Sequence, residues 1–189
     1  IKVASVTCDF FMLRPFFKNK KNRYILGYLK KLIINGQKIG IKYFIIPLVD
    51  QSSIKNKTQE NLLIRGIKNF ERLLGKKSKI LFEIDYKPLS VARFIKKLKS
   101  SKYGINYDTG NSAGLGFSFS NEKKYFKFVK NIHLKDKELN GKTIRLGNGN
   151  FKFGSFFSYL KKVNYKGNLI LQTARAKNKS HEYELNLNR

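Results

Sequence analysis

Four polar residues stand at the ends of four apolar runs in this sequence, and together their side chains suit a metal ion. The four residues are Glu83, Asp108, His133 and Gln172. Two carboxylates, one imidazole and one carboxamide make a mostly oxygen donor set, which suits Mn²⁺, Mg²⁺ or Co²⁺ and also allows Zn²⁺. We therefore expect one divalent metal centre built from these four side chains.

Each of the four also has an ordinary structural explanation. Glu83 could lie at a surface strand end, Asp108 could cap a turn because Thr-Gly-Asn follows it, and His133 could be a hydrogen-bonded core histidine. Their spacing favours the metal interpretation. Asp108 follows Glu83 by 25 residues, His133 follows by another 25, and Gln172 follows by 39. A step of 25 residues equals one β/α repeat, and a predicted loop over 139–150 lengthens the last step.

Strand-like apolar runs alternate with helical patterns along the chain. The runs lie near residues 1–7, 41–46, 79–84, 104–108, 129–133 and 168–172. The helical patterns cover residues 22–34, 58–74, 90–98, 153–163 and, briefly, 121–128. This alternation predicts parallel strands joined by right-handed crossovers. Because no glycine-rich phosphate loop follows a strand, the α/β pattern favours a TIM barrel over a doubly wound sheet.

A complete (β/α)8 barrel has two more strands than the six predicted here. The sequence also opens with Ile1 inside a strand-like run. We therefore expect a single partial TIM-barrel domain over residues 1–189, an incomplete barrel of about six β/α units that lacks the first two. Active sites of such barrels lie at the carboxyl ends of the strands, where the four candidate ligands are found.

Basic residues dominate the composition. Forty Lys and Arg residues against twelve Asp and Glu give a formal net charge of +28. Such an excess is consistent with a polyanion partner such as nucleic acid. However, the lysines are spread over nearly every segment, and the joint abundance of Lys, Asn, Ile, Phe and Tyr is typical of drift in an AT-rich coding sequence. Nucleic acid is therefore disfavoured as a partner.

Other features of the composition limit the class of protein. The hydrophobic content of 41% and aromatic content of 14% argue against disorder. No apolar run reaches the roughly 18 residues that a membrane-spanning helix needs. The single cysteine, Cys8, cannot form an intramolecular disulfide and fits a reducing compartment. With no secretory signal visible, we expect a cytoplasmic protein without membrane association. The aromatic cluster over 10–17 is typical of core packing, although it could instead line a substrate mouth or join copies in a homo-oligomer.

Four segments together resemble the xylose isomerase-like TIM-barrel superfamily, in its sugar phosphate isomerase/epimerase branch. They are Leu81-Phe82-Glu83-Ile84-Asp85, Tyr107-Asp108-Thr109-Gly110-Asn111, Ile132-His133-Leu134-Lys135-Asp136-Lys137 and Leu146-Gly147-Asn148-Gly149. The pattern His-x-Lys-Asp-Lys followed by Leu-Gly-x-Gly is specific only in combination. The resemblance extends over most of the chain from about residue 40 onward.

The resemblance implies roles by position. Glu83, Asp108 and His133 match the family's metal ligands, and Gln172 stands where the best-known members have a fourth, glutamate ligand. In those members the first and last ligands are also the catalytic acid/base pair that moves a proton between neighbouring sugar carbons. Gln172 can offer an oxygen to a metal but cannot take up a proton. The resemblance implies a metal-dependent isomerase or epimerase that works through an enediolate, but a two-base epimerisation with Gln172 as the second base is disfavoured. A one-base isomerisation through Glu83, a dehydration and another metal-assisted reaction on a polyol all stay open.

Five further residues are candidates for substrate binding. Asn111 stands where related epimerases often carry a substrate-binding histidine. Lys135 or Lys137, together with the loop around Gly147 and Gly149, could hold an anionic group such as phosphate, although ordinary solvated charge explains the lysines equally well. The expected ligand is a small sugar or sugar phosphate.

Two alternative functions stay open. An endonuclease IV-like phosphodiesterase of the same superfamily would use the positive charge. That group's multi-metal cluster uses several histidines, whereas this sequence has only His133 and His181. A non-catalytic barrel that binds a sugar would explain the glutamine at position 172.

Overall fold

The computed structural model describes residues 2–174, in which parallel strands alternate with helices. The chain divides into two compact units. The first comprises Ile1–Tyr86 and Ser90–Asn106, and the second comprises Lys87–Leu89 and Tyr107–Arg189. Each unit is therefore described by itself, for its described residues.

The first unit is built on parallel strands. They are β1 (Ser5–Thr7), β2 (Tyr43–Leu48), β3 (Lys79–Ile84) and β4 (Tyr103–Asp108), the last two residues of which belong to the second unit. β1 pairs with β2, β2 with β3 and β3 with β4, and every pair is parallel. Phe44 to Leu48 of β2 are all buried, as expected for a strand covered on both faces.

The helices of the first unit pack through apolar stripes. They are α1 (Phe10–Leu13), α2 (Ile25–Lys38), α3 (Lys57–Lys68) and α4 (Pro88–Lys97). In α2 the buried residues Ile25, Leu29 and Ile33 recur every four positions, which places them on one face. The Asn56 side chain accepts the N–H of Gln59 at 2.9 Å and caps the start of α3. Phe11, Phe16 and Phe17 of the aromatic cluster are buried in the core.

The second unit continues the alternation. Its elements are α5 (Thr109–Gly114), α6 (Phe119–Glu122), β5 (Val129–Leu134), β6 (Asp136–Lys137), β7 (Thr143–Ile144), α7 (Phe153–Lys162) and β8 (Asn168–Leu171). β5 and β8 pair in parallel, with His133 opposite Ile170, and β6 and β7 form a small antiparallel hairpin. The Phe156 ring is central to the aromatic core. Its centroid lies 5.6 Å from that of Tyr107 and 5.1 Å from that of Phe119.

Six parallel strands that alternate with helices form an incomplete TIM barrel, which confirms the predicted fold class. The last five predicted strands are present within about two residues of their expected limits. The strand predicted over 1–7 is shorter than expected, since β1 begins at Ser5. No helix among residues 2–174 combines the length and the apolar character needed to span a bilayer.

Four local predictions were wrong. The helix expected over 58–74 ends at Lys68, and a 3-10 turn over Glu71–Leu73 follows it, in which Leu73 N–H donates to the Phe70 carbonyl. The helix expected from residue 22 begins at Ile25, because the 3-10 turn Lys20–Tyr24, capped by the Asn19 side chain, comes first. The short helix expected over 121–128 is α6 followed by a 3-10 turn over Lys123–Phe128. Part of the predicted loop over 139–150 is β7, because Glu138 N–H donates to the Lys142 carbonyl and closes a hairpin.

Candidate active site

Asp108 ends β4 and caps the helix that follows. The side chain is buried, and its Oδ1 accepts the N–H of Asn111 at 2.9 Å as the N-cap of α5. The positive end of a helix favours a carboxylate anion at this position. Capping was the ordinary alternative that the sequence offered for Asp108, and the structure shows such a cap, at the start of a helix. The role of Asp108 as a metal ligand stays a prediction. Asn111, the candidate substrate contact, lies half-buried in the first turn of the same helix.

His133 lies near the end of β5 and close to Asp108. It is buried, and it is the fifth residue of a strand whose last four residues are all buried. One carboxylate oxygen of Asp108 and one ring nitrogen of His133 lie within 4.8 Å of each other. Ligands lie about 2.0–2.6 Å from a divalent ion, so two ligands of one ion can be up to about 5 Å apart. This acidic and imidazole pair can therefore share a metal.

Thr109 ties the segment after Asp108 to the segment after His133. The Thr109 hydroxyl accepts the N–H of Lys135 at 2.8 Å and donates to the Lys135 carbonyl at 2.5 Å. Thr109 is fully buried. These two bonds hold the strand ends in a fixed relation, which preorganises the two candidate ligands. Nothing in the sequence predicted this role, although a hydroxyl residue directly after an acidic strand end is a usable signal.

Glu83 is the fifth residue of β3 and is half-buried. Its Oε2 accepts a hydrogen bond from Asn106 Nδ2 at 2.9 Å. Asn106 is buried in β4, two residues before Asp108. Since side chains two apart on a strand leave the same face, Asn106 and Asp108 project from one side of β4. Asn106 therefore positions the Glu83 carboxylate beside that face, a role that the sequence did not reveal.

Gln172 directly follows β8. Its backbone N–H donates to the Leu134 carbonyl at 2.9 Å, which places it beside the residue that follows His133. Its side chain is exposed, whereas the side chains of Asp108 and His133 are buried. The structure thus places Gln172 at a strand end, as predicted, but its side chain lacks the burial of the two candidate ligands Asp108 and His133.

The two candidate lysines lie along the helix that Asp108 caps. A Cβ added at Gly110 would meet the Lys135 stem at 2.7 Å, and one added at Gly114 would meet the Lys137 stem at 3.2 Å. The stem of each lysine therefore crosses a glycine of α5, and both lysines are half-buried. Long stems that pack on a helix while the ammonium group reaches solvent are a common arrangement. The stems of both lysines thus pack on α5.

The loop around Gly147 and Gly149 binds an anion that belongs to the protein. Gly147 and Gly149 donate their N–H groups to Asp136 Oδ2 at 3.0 and 2.9 Å. Phe151 and Lys137 donate theirs to Oδ1 at 3.2 and 3.0 Å. Asp136 is fully buried. The two glycine amides that the sequence suggested for a ligand's phosphate are thus donated to the Asp136 carboxylate.

A second buried carboxylate in this unit is held by hydroxyl groups. Glu122 accepts hydrogen bonds from Tyr107 and Ser112, both at 2.7 Å, and from Tyr125 at 3.2 Å. Burial raises the pKa of Glu122, and the three hydrogen bonds act in the opposite direction. Tyr107 directly precedes Asp108, so this network anchors the end of β4 from the core side.

Comparison with known proteins agrees with this architecture. The family model described as xylose isomerase-like TIM barrel matches residues 9–188. No curated protein matches the chain.

Solved structures that are similar to it include the following three. A xylose isomerase domain protein from Planctomyces limnophilus has 15% identity and a TM-score of 0.74, over 89% of this chain and 64% of its own. An IolI protein with a bound zinc atom has 16% identity and a TM-score of 0.77, over 98% of this chain and 73% of the IolI chain. A D-tagatose 3-epimerase-like protein has 16% identity and a TM-score of 0.76, over 98% of this chain and 76% of its own. This chain thus spans 64% of the Planctomyces protein, and at such identities the likeness shows the fold alone.

Proposed function

Because the chain belongs to the xylose isomerase-like TIM-barrel family, we propose that the protein is a metal-dependent isomerase or epimerase that acts on a sugar or sugar phosphate. The observation that carries the proposal is the buried pair of Asp108 and His133, whose ligand atoms lie within 4.8 Å at the ends of β4 and β5. Carboxylate oxygens and imidazole nitrogens are common ligands of divalent ions, and two of them within 4.8 Å can bind one ion.

The donor set fits such an ion. Asp108 and His133 would hold it, together with Glu83 and the carbonyl oxygen of Gln172, as four ligands at the carboxyl ends of strands. Mostly oxygen ligands with one imidazole suit Mn²⁺, Mg²⁺ or Co²⁺, and Zn²⁺ is compatible. When bound, the ion would polarise the sugar carbonyl and stabilise developing negative charge.

Glu83 is the proposed general base. Its carboxylate would remove the proton on the carbon next to the sugar carbonyl, which gives an enediolate, and would return a proton to the former carbonyl carbon. The hydroxyl proton of the substrate would pass between the two neighbouring oxygens, so that the carbonyl moves by one carbon. Asn106 donates to Glu83 Oε2 at 2.9 Å, and this bond orients the carboxylate. Half-burial of Glu83 leaves it open to a small substrate.

Gln172 decides which reaction is favoured. Its carboxamide is too weak a base to take up a proton at neutral pH, so a second base is missing at this position. The proposed reaction is therefore a one-base isomerisation, in which the same carboxylate removes and returns the proton on one face of the sugar. The cationic groups of Lys135 and Lys137, with Asn111, are the proposed contacts for the hydroxyl or phosphate groups of the substrate.

The test combines metal content with proton exchange. The purified chain would be analysed for bound metal and incubated in D₂O with a panel of aldoses, ketoses and their phosphates. Deuterium incorporation next to the carbonyl, followed by NMR, is the expected result. Glu83→Gln should reduce the exchange rate by at least about 1,000-fold, since the base is lost, while metal still binds. His133→Ala should lose the metal.

A matched control is Glu71→Gln, which removes the same charge from the half-buried 3-10 turn Glu71–Leu73. Both metal content and exchange should be unchanged in this variant. A metal-loaded protein that exchanges no proton on any sugar would contradict the enzymatic proposal and favour a binding protein. Full exchange by Glu83→Gln would contradict the assignment of the base.

The net charge of +28 favours one competing function, a phosphodiesterase that acts on nucleic acid. Contacts with phosphates would give an affinity for random duplex DNA that falls steeply as salt rises. Cleavage of abasic DNA by the metal-loaded chain would support this competing function. We expect no cleavage, because the sequence holds only two histidines.

A further inference from the structure

The first unit contains a cavity that none of the proposed active-site residues line. Its volume is about 460 Å³, and it lies between the start of α3 and the outer face of α4. This volume falls within the range of small-molecule sites, about 300–1,000 Å³. A lone inorganic anion would leave most of this volume to water, so a ligand that fills it would carry an organic body as well.

Cationic side chains dominate the lining. Lys55, Lys57, Arg93 and Lys97 face a single carboxylate, that of Glu60. Glu60 is buried, forms an ion pair with Lys97 and accepts the Tyr86 hydroxyl at 3.0 Å. Among the described residues that line the cavity, Glu60 is thus the one acid, and it is engaged by Lys97.

Three cations stay in excess around the cavity. Arg93 reaches only Ser90 Oγ, at 3.3 Å, within its own helix. Lys55 and Lys57 are exposed at the mouth. Lys18 lies close enough to Lys55 for the two charges to repel each other. Burial, and then the charge of Lys55, lower the pKa of Lys18, whereas the charge of Asp85 raises it. The guanidinium group of an arginine can donate two parallel hydrogen bonds to a phosphate, and lysine ammonium groups add positive charge beside it.

The remaining walls suit a ring. Ile54 is buried at the cavity, and the Tyr86 ring lies at its side, held edge-on against Phe94 with the ring centroids 6.3 Å apart. Burial, followed by the effect of Glu60, raises the pKa of Tyr86, so its hydroxyl stays a neutral donor to Glu60. The ring is thereby fixed in place and offers a flat apolar surface.

We propose that this cavity binds a small organic phosphate, with the phosphate held by Arg93, Lys55 and Lys57 and the organic body packed against Tyr86 and Ile54. The site is separate from the proposed sugar chemistry, and it requires neither a metal nor turnover. A ligand bound here would bridge the start of α3 and the face of α4.

The probe for this site is phenyl phosphate, which carries one phosphate monoester and one ring and binds metal ions weakly. Titration of the full chain at low salt, followed by calorimetry and by the ring signals in NMR, should show saturable one-to-one binding. Phenol, which lacks the phosphate, should bind at least about tenfold more weakly, since hydrogen bonds to a charged group are among the strongest.

Two double variants separate the site from general charge. Lys57→Gln with Arg93→Gln should weaken phenyl phosphate binding by about tenfold or more. Lys68→Gln with Arg72→Gln removes the same charge at the far end of α3 and beyond it, and it should change the affinity by less than about twofold. Both double variants should keep the wild-type metal content and sugar exchange, so failure here is distinct from failure of the proposed function.

Equal weakening in both double variants would overturn the proposal, because it would show that the probe responds to net charge. Absence of saturable binding to the wild type would overturn it as well. Tyr86→Phe keeps the ring but loses the hydroxyl, and it should retain at least about half of the affinity. Tyr86→Ala should lose the preference for phenyl phosphate over inorganic phosphate.

Discussion

Asp108 and Asp136 are two buried aspartates of the same unit that follow strand ends, yet their surroundings differ. Asp136 accepts four backbone N–H groups, from Lys137, Gly147, Gly149 and Phe151. Asp108 accepts the N–H of Asn111 as a helix cap and lies within 4.8 Å of a His133 ring nitrogen. A carboxylate surrounded by amides organises a loop, whereas a carboxylate beside an imidazole can bind a metal. Residue type and position in the sequence do not distinguish an aspartate that organises a loop from one that can bind a metal.

The largest expected effect is the loss of stability on removing Asp136. Asp136→Ala would leave four backbone N–H groups in a buried site without their acceptor. Each unsatisfied buried donor costs about 1–3 kcal/mol, so we expect the free energy of unfolding to fall by at least about 3 kcal/mol. Urea unfolding followed by circular dichroism measures the change.

The control for Asp136→Ala is Glu138→Ala, an exposed acid two residues further on. This change should cost less than about 0.5 kcal/mol. If Asp136→Ala were no more destabilising than Asp108→Ala, the distinction between the two aspartates would be wrong.

The next effect concerns metal affinity. Asp108→Asn keeps a side chain that caps a helix as well as aspartate does, so the free energy of unfolding should change by less than about 0.5 kcal/mol. Affinity for Mn²⁺, measured by calorimetry on metal-free protein, should fall by more than about 100-fold, since even a partner of a ligand contributes about 10–100-fold.

The reverse pattern is expected for Asp136→Asn, whose folded fraction should keep Mn²⁺ affinity within about threefold of wild type while stability falls. Loss of Mn²⁺ affinity in both variants to the same degree would mean that the loop held by Asp136, and not the pair of Asp108 and His133, controls binding.

A smaller effect tests how closely the loop wraps Asp136. A Cβ added at Gly149 would lie 2.2 Å from Asp136 Oδ1 and 2.6 Å from the Lys137 carbonyl oxygen. Backbone cannot yield cheaply there, so Gly149→Ala should cost about 1–3 kcal/mol. At Gly154, in the first turn of α7, a Cβ would meet nothing within 4 Å. Gly154→Ala should therefore be neutral or slightly stabilising in the same urea experiment.

The sequence predicted the strands well, because their apolar runs are buried on both faces and leave little ambiguity. It also placed Glu83, Asp108 and His133 at strand ends, since each follows such a run. The helix α5 was missed because Thr-Gly-Asn-Ser-Ala-Gly has the composition of a turn. Its stabilising contacts are the Asp108 cap and tertiary contacts with residues distant in sequence, such as the hydrogen bond from Ser112 to Glu122.

The partners of the candidate site were beyond the reach of the sequence. The N–H groups of Gly147 and Gly149 suggested a site for a ligand's anion, but the anion they bind lies 11 and 13 residues upstream. Asn106 reads as one polar residue in an apolar run, and its bond to Glu83 spans 23 residues. Such pairings depend on the register of neighbouring strands, which the local pattern of one strand does not encode.

The smallest expected effect is a pH dependence of stability that comes from Glu122, a third buried carboxylate. It accepts hydrogen bonds from hydroxyl groups instead of backbone amides. Burial raises the pKa of Glu122 in the folded state above the ordinary value of 4.5, so the folded state binds a proton more tightly than the unfolded chain. This contribution to stability is fully present below the unfolded pKa and is lost as the pH rises through the raised folded pKa.

Glu122→Gln cannot titrate, so the difference in unfolding free energy between wild type and variant should shift against wild type as the pH rises above 4.5. Urea unfolding at several pH values measures this slope. A difference that stays constant with pH would show that the three hydroxyl donors fully offset burial, and Glu122 would then resemble Asp136.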